Sequence, residues 1–268
     1  MHKLKVSLII TTYNWPEALL LVLKSIEIQT VKPDEVIIAD DGSKKETANI
    51  IKNFSKKTPL KIIHSWQEDI GYRLSMSRNK AIAKSSYEYI VMIDGDMVLH
   101  PNFIEDHINF AKQGTFVQGV RAKINALKSK EILKNSSIFF RELDEGLKSK
   151  RYSIRSKLLS FLFSGKKYFN KFNMFLGCNM AFFRADCFNV NGFNEDFIGW
   201  GRDDSEFGAR MLHLGIDRRD LRFNAVAYHI HHEGNSRAML ERNHLIYLDI
   251  LKRKVIRCKN GIDKYIIK

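Results

Sequence analysis

In the first third of the chain, apolar positions come in short continuous runs, separated by stretches with helical spacing. Lys5–Thr11 (KVSLIIT), Glu35–Ala39 (EVIIA), Leu60–His64 and Tyr89–Ile93 (YIVMI) are rich in β-branched residues and do not alternate with polar ones. Such runs suit strands buried on both faces. Between them, Trp15–Gln29 sets Leu19, Val22, Leu23 and Ile26 on one stripe, and Pro33 breaks the pattern. Thr47–Ser55 and Leu74–Ser85 read as further helices. Strands alternating with helices predict right-handed crossovers and a mainly parallel sheet. The expected fold class is therefore α/β: a single Rossmann-like sheet flanked by helices, followed by a C-terminal subdomain.

In sheets of this kind ligands bind outside the carboxyl ends of the strands. Three of the predicted strands end in polar clusters: Thr11-Thr12-Tyr13-Asn14, Asp40-Asp41-Gly42-Ser43 and Asp94-Gly95-Asp96. Two close carboxylates at a strand end repel each other unless a cation neutralises them. Oxygen ligands suit Mg²⁺ or Mn²⁺, ions that also bind substrate phosphates. Asp and Gly are ordinary turn residues too, so D-G-D alone decides little; its position beside two other polar tips is what marks a site. Asp41 can accept a hydrogen bond from a base N–H or a ribose hydroxyl. Gly71-Tyr72-Arg73 and Arg78-Asn79 flank a predicted helix start, where a guanidinium can hold a diphosphate bidentately.

The second half changes character. From Gly146 to Ala185 there is no acid, while Lys148, Lys150, Arg151, Arg155, Lys157, Lys166, Lys167 and Lys171 surround Leu158, Leu159, Phe161, Leu162 and Phe163. Two readings stay open for segment 148–172: a solvated loop with a packed helix, or an interfacial helix on an anionic membrane. Gly177-Cys178-Asn179-Met180 precedes a strand-like Ala181–Arg184, and then comes NEDFIGWGRDDSE. A sugar hydroxyl that attacks an anomeric carbon must lose its proton, and Asp203 or Asp204 could take it. Gly199-Trp200-Gly201 offers close backbone approach and a flat stacking face. The same acids also suit a helix N-terminus. In AVAYHIHH, His229 and His231 share one strand face, and a neutral imidazole there could complete a metal's ligands; a surface cluster is the plainer alternative. Arg237–Leu251 reads as a helix before a basic tail. The resulting organisation is 1–120, the alternating strand–helix half with its three polar tips; 121–172, a basic and aromatic insertion; 173–235, the part that carries the acid pair; and 236–268, a helix and tail; the resemblance described below makes the first the nucleotide-sugar-binding half and the third the acceptor and catalytic-base part.

Composition narrows the partners. A formal charge of +14 favours acidic ones: a nucleotide, a nucleic acid or an anionic membrane face. No nucleic-acid module is recognisable, so nucleic acid is not expected. Cys178, Cys187 and Cys258 form no CxxC pair, which suits a reducing compartment without structural zinc. The N-terminal apolar run is too short for a signal peptide, and no stretch approaches the roughly 18 apolar residues of a membrane span. The expected location is cytoplasmic, with peripheral attachment to the inner membrane face left open.

With these residues in hand, the chain resembles family 2 glycosyltransferases of the GT-A fold. SLIITTYN, ADDGS, GYRLSMSRNKAI and YIVMIDGDM follow that family's order and approximate spacing. GCNMAFFR followed by NGFNEDFIGWGRDDSEF resembles a galactosyltransferase-type module also found in chondroitin-polymerase-like bacterial enzymes. The resemblance implies a UDP-sugar donor, a glycan or glycolipid acceptor, Mn²⁺ or Mg²⁺, and inversion by single displacement. It places Thr11, Tyr13, Asn14, Asp41, Arg73 and Arg78 at the nucleotide sugar, Arg78 near the diphosphate. Asp96 becomes the principal metal ligand, and Asp94 serves the ribose or supports the metal. His229 matches the module's metal-binding histidine best, with His231 the competitor. Asp204 becomes the base, and Trp200, Gly201, Asp203 and Asn179 face the acceptor. One departure stands out: the module usually carries Glu where this chain has Asp203. A sugar-phosphate nucleotidyltransferase, which shares the doubly wound sheet and metal carboxylates, is the competing enzyme class.

Overall fold

The buried runs become strands in the predicted order. The computed structural model describes residues 4–168, 172 and 175–266. Strands β1 (Val6–Thr12), β2 (Glu35–Asp40), β3 (Ile62–Trp66) and β4 (Tyr89–Asp94) alternate with helices α1 (Pro16–Glu27), α2 (Lys45–Ser55) and α3 (Leu74–Ala83). Next come β5 (Met97–Leu99), α4 (Phe103–Phe110), β6 (Thr115–Gln118), β7 (Ala122–Lys123), α5 (Ala126–Asn135), α6 (Lys157–Phe163) and β8 (Lys167–Tyr168). The chain continues through β9 (Asn179–Phe183), α7 (Arg184–Asn189), α8 (Asp203–His213), β10 (Asp217–Asp220), β11 (Ala227–His229) and α9 (Leu240–Arg253).

Eight strands form one sheet in the order β3-β2-β1-β4-β9-β6-β10-β8. The β1–β2, β2–β3, β1–β4 and β6–β10 pairs are parallel. β9 is antiparallel to both β4 and β6, and β8 is antiparallel to β10 at the edge. Alternate residues of each central strand serve opposite cores. Leu8, Ile10, Val36, Ile38, Val91 and Ile93 pack with Leu19, Val22 and Ile26 of α1. Ile9, Ile37, Ile90 and Met92 pack with Ile82 of α3 and with Phe207 and Met211 of α8. That two-sided burial is why these strands read as unbroken apolar runs.

Beside the large sheet stands a three-stranded one, β5-β11-β7. The expectation of a single sheet missed it, because its strands are only two or three residues long and carry no readable period. Its register pairs Met97 with His229, so the chain leaving β11 passes beside the chain leaving β4.

Asn179, expected at the acceptor, is instead an internal cross-link with no exposed surface. Its Oδ1 pairs with His107 Nε2 at 3.0 Å, and its Nδ2 donates to the carbonyls of Val120 (2.8 Å) and Ala225 (3.2 Å). A buried amide must satisfy its donors and acceptor internally, and here it ties β9 to α4 and two loops. Asn179→Ala is therefore expected to lower stability by about 2–4 kcal/mol in urea denaturation, since it strands several buried partners. Unchanged stability with weakened acceptor binding would return the residue to the site.

Candidate active site

Strand order reverses between β1 and β4, with β2 and β3 on one side and β4 on the other. Crevices at such switch points are where open α/β sheets bind ligands. The register brings the polar tips side by side there, with Thr11 paired to Asp94 and Thr12 to Asp40.

The first two tips are laced together. Asn14, at φ +47°, donates its backbone N–H to Ser43 Oγ (2.9 Å) and accepts from the Lys44 N–H through Oδ1 (2.9 Å). Thr11 Oγ1 donates to Asp94 Oδ1 at 3.0 Å. Asp41 accepts from Gln67 Nε2 (2.6 Å) and from the Arg73 N–H (2.8 Å). Burial pushes Asp41 up to about 6, although both hydrogen bonds pull the other way. The Tyr13 hydroxyl donates to Asp69 at 2.9 Å, and the ring is half exposed, as is that of Trp66. The Arg73 Nε is buried and has no hydrogen-bond partner among the described residues.

The third tip turns sharply. A Cβ at Gly95 would stand 2.5 Å from the Thr11 carbonyl, so only glycine allows Asp94 and Asp96 this spacing. Asp96 Oδ2 lies 3.4 Å from His229 Nε2 and 3.2 Å from His232 Nε2. One ligand atom from each of the three residues falls within 4.8 Å of the others. Asp96 Oδ1 is buried and has no hydrogen-bond partner among the described residues. Burial drives the His229 pKa down to about 4, which leaves its imidazole neutral and able to ligate. The hydrogen bond with Asp96 raises that of His232. A carboxylate with one oxygen facing two imidazoles and the other buried without a partner fits a divalent cation, and the two nitrogens suit a transition ion such as Mn²⁺ better than oxygen-preferring Mg²⁺.

His231 does not join this group. Strand β11 ends at His229, so the alternation that would put residues 229 and 231 on one face stops there. His231 is exposed, and its backbone N–H donates to Ser129 Oγ at 2.8 Å. His232, not singled out from the sequence, takes the place beside Asp96; the H-I-H-H run held the signal, but not the turn that selects the last member.

The acid pair opens α8, where the helix dipole favours carboxylates. Arg78 Nη1 donates to both Asp203 Oδ2 and Asp204 Oδ1 at 2.7 Å, and its Nη2 lies 3.8 Å from Asp94 Oδ1. The Phe193 ring lies 4.9 Å from its Cζ. Only 2% of Arg78 is exposed, and its guanidinium faces Asp203, Asp204 and Asp94, where the sequence-based expectation set it near the diphosphate. Burial alone would lower its pKa, but Asp204, Asp203 and Asp94 together raise it. Asp203 is pushed up to about 7, first by burial and then by the charge of Asp204, with Arg78 opposing both. Asp94 rises to about 6, again by burial against the pull of Arg78. The Gly177 N–H donates to Asp204 Oδ2 at 2.7 Å, an approach that a Cβ would block, since it would lie 2.4 Å from Asp204 Oδ1.

Trp200 is 37% exposed, with the Arg237 guanidinium 5.8 Å from its ring. Its loop is tied to the donor side by the Gly199 N–H, which donates to the Tyr72 carbonyl at 3.2 Å, and Gly201 (φ +110°) leads into α8. Sequence reasoning also missed Arg121. It donates to Cys178 Sγ at 2.9 Å, and Asp94 and Asp96 help raise its pKa. No motif surrounds it; only the fold brings it to the third tip.

The family model described as glycosyl transferase family 2 matches residues 7–189, and that described as N-terminal domain of galactosyltransferase matches residues 159–233. A chondroitin synthase from Escherichia coli is 28% identical over 238 residues, covering 83% of this chain and 34% of the relative. A hyaluronan synthase from Pasteurella multocida is 27% identical over 265 residues, covering 93% and 27%. The chain thus spans about a third of the length of these curated relatives. Among solved structures, S. aureus TarS 1–349 in complex with UDP-GlcNAc aligns with a TM-score of 0.66 at 15% identity, over 98% of this chain and 69% of that one. The mannosyltransferase PcManGT from Pyrobaculum calidifontis, in complex with GDP-Man and Mn²⁺, aligns at 0.61 and 18% identity, over 97% and 66%. At these identities the structural likeness establishes the fold, that of GT-A glycosyltransferases. The family match runs from β1 through α7 and takes in all three strand tips, and on it the chain belongs to glycosyl transferase family 2.

Proposed function

We propose that the chain transfers a hexose or N-acetylhexosamine from a UDP-sugar to a hydroxyl of a glycan acceptor, with inversion and with the help of a divalent cation. The observation that carries this reading is Asp96 at the third strand tip, whose Oδ2 faces His229 and His232 while its buried Oδ1 has no hydrogen-bond partner among the described residues. Asp41, Asp94 and Asp96 stand at these strand tips, and their carboxylates would oppose a diphosphate brought there without a cation. The names of the relatives, chondroitin and hyaluronan synthases, support a surface polysaccharide acceptor such as capsule or lipopolysaccharide.

In this reading, Asp41 and the laced loops of Thr11, Tyr13 and Asn14 hold the nucleoside. Arg73 offers its unpartnered Nε to the donor, and Arg121 supplies positive charge beside Asp94 and Asp96. Asp96, His229 and His232 would hold Mn²⁺, which when bound neutralises charge on the diphosphate. Trp200 gives the acceptor ring a floor. Asp204 removes the acceptor hydroxyl's proton as that oxygen bonds to the anomeric carbon. The bond from that carbon to the diphosphate oxygen breaks, and UDP leaves with the electron pair. Arg78 and the Gly177 N–H hold Asp204 in place, and Asp203 accepts from a neighbouring acceptor hydroxyl.

Asp204→Asn should lower kcat by about three orders of magnitude while leaving UDP-sugar affinity in calorimetry unchanged; near-normal turnover would overturn the base assignment. His232→Ala should weaken Mn²⁺ binding roughly 10–100-fold in a calorimetric titration with UDP present, whereas His231→Ala should leave it unchanged. The raised pKa of Asp203 sets a sign for pH. Below about 7 it carries a proton, so kcat/KM should rise as pH passes through that value. Asp203→Asn should flatten this ascending limb, and a profile with the limb intact would assign it to another group.

A further inference from the structure

Helix α6 is amphipathic in the wrong sense for a protein in water. Its serine side faces the protein and its apolar side faces out. Ser156 caps it, accepting from the Leu159 N–H at 3.2 Å, and the Ser156 N–H donates to the Phe223 carbonyl at 2.8 Å. Ser160 is buried, and Ser164 Oγ exchanges hydrogen bonds with the backbone of Arg222 at 2.9 and 2.8 Å. Just before the helix, Arg155 clamps Asp106 of α4 through two bonds of 2.9 and 2.7 Å. The helix is thus fastened at both ends, with Leu158, Phe161, Leu162 and Phe163 exposed at 68%, 83%, 61% and 58%. Exposed apolar side chains in a contiguous set mark an interaction surface.

Charge indicates what covers it. No acid occurs from Gly146 to Ala185. Lys148, Lys150, Arg151, Lys157, Lys166 and Lys167 are exposed along this stretch; Lys171 lies outside the described residues. A second copy of the chain would bring an equally cationic face against this one, with a formal +14 on each molecule. Leucines and phenylalanines ringed by lysines match instead the boundary between anionic headgroups and acyl chains. No helix among the described residues is long and apolar enough to cross a membrane.

We propose that α6 is an interfacial anchor, seating Leu158, Phe161, Leu162 and Phe163 in the headgroup region of an anionic bilayer while the flanking lysines contact lipid phosphates. Residues 164–176 join this helix to Gly177, whose N–H holds Asp204. Docking would seat the chain with the exposed face of α6 against the bilayer surface. It does not depend on the transfer reaction proposed above.

The test is flotation of the full chain with phosphatidylcholine vesicles, with and without phosphatidylglycerol, at low and high salt. The chain is expected to float with the anionic vesicles and to be released by salt. Leu158→Ser/Phe161→Ser/Leu162→Ser should weaken binding at least about tenfold. That variant should keep the native circular dichroism and full turnover of a soluble acceptor, because none of the three residues touches the site. Lys157→Glu/Lys166→Glu, which leaves the apolar face intact, should lose the preference for anionic vesicles. Absence of flotation at low salt, or equal flotation of the triple variant, would overturn the anchor. Concentration-dependent self-association that the triple variant abolishes would also overturn it, by assigning the face to a second copy.

Discussion

Arg78 leaves α3 in the first half of the sheet and meets Asp203 and Asp204 on α8, 125 and 126 residues later. A guanidinium with 2% of its surface exposed tolerates that position only when carboxylates surround it. The acids are equally dependent, because burial pushes the pKa values of Asp203 and Asp94 upward and Arg78 opposes that push. Removing one partner from a buried charge cluster of this kind costs ~3–5 kcal/mol. One cation thus fixes the distance between the donor-side strand tips and the start of α8. The rigid placement of two reacting groups is itself a large share of what a transfer enzyme needs.

This arrangement separates charge of opposite sign. The surface carries the excess that makes the chain +14, whereas the crevice is dominated by aspartates. A nucleotide diphosphate is attracted at long range by the first and repelled at contact by the second. In the proposed reading, a cation held by Asp96 and two imidazoles would resolve the conflict at one point, beside Arg121, whose guanidinium is engaged with a thiol rather than a carboxylate.

Much of the site was legible in the sequence because it lies at strand ends. Apolar runs such as YIVMI located the strands, and the abrupt change to Asp94-Gly95-Asp96 located the end of one. In a parallel sheet neighbouring strand ends fall together without further information. What was not legible depended on contacts without local signals. His232 reaches Asp96 only because β11 stops after three residues and the chain bends. Arg78 reads from the sequence as a residue near the diphosphate, and nothing local announces that its guanidinium meets Asp203 and Asp204 on a distant helix. Asn179 sits within a motif-like stretch, yet its amide is consumed by His107, Val120 and Ala225. The outward-facing apolar side of α6 reverses the rule by which helical stripes are assigned to the core, and serines facing the protein give no periodic signal of their own.

The glycine at position 177 has a consequence for which acceptor oxygen can react. Asp204 already accepts at both oxygens, from Arg78 on one and from a backbone N–H on the other. A carboxylate so held cannot swing to meet whichever hydroxyl is nearest. If it is the base, an incoming sugar must present its hydroxyl along the bearing that remains, and ring positions lying off that line stay protonated however well the sugar binds. The regiochemistry of the new linkage would then be written partly in main chain, by a residue whose only qualification is the side chain it lacks.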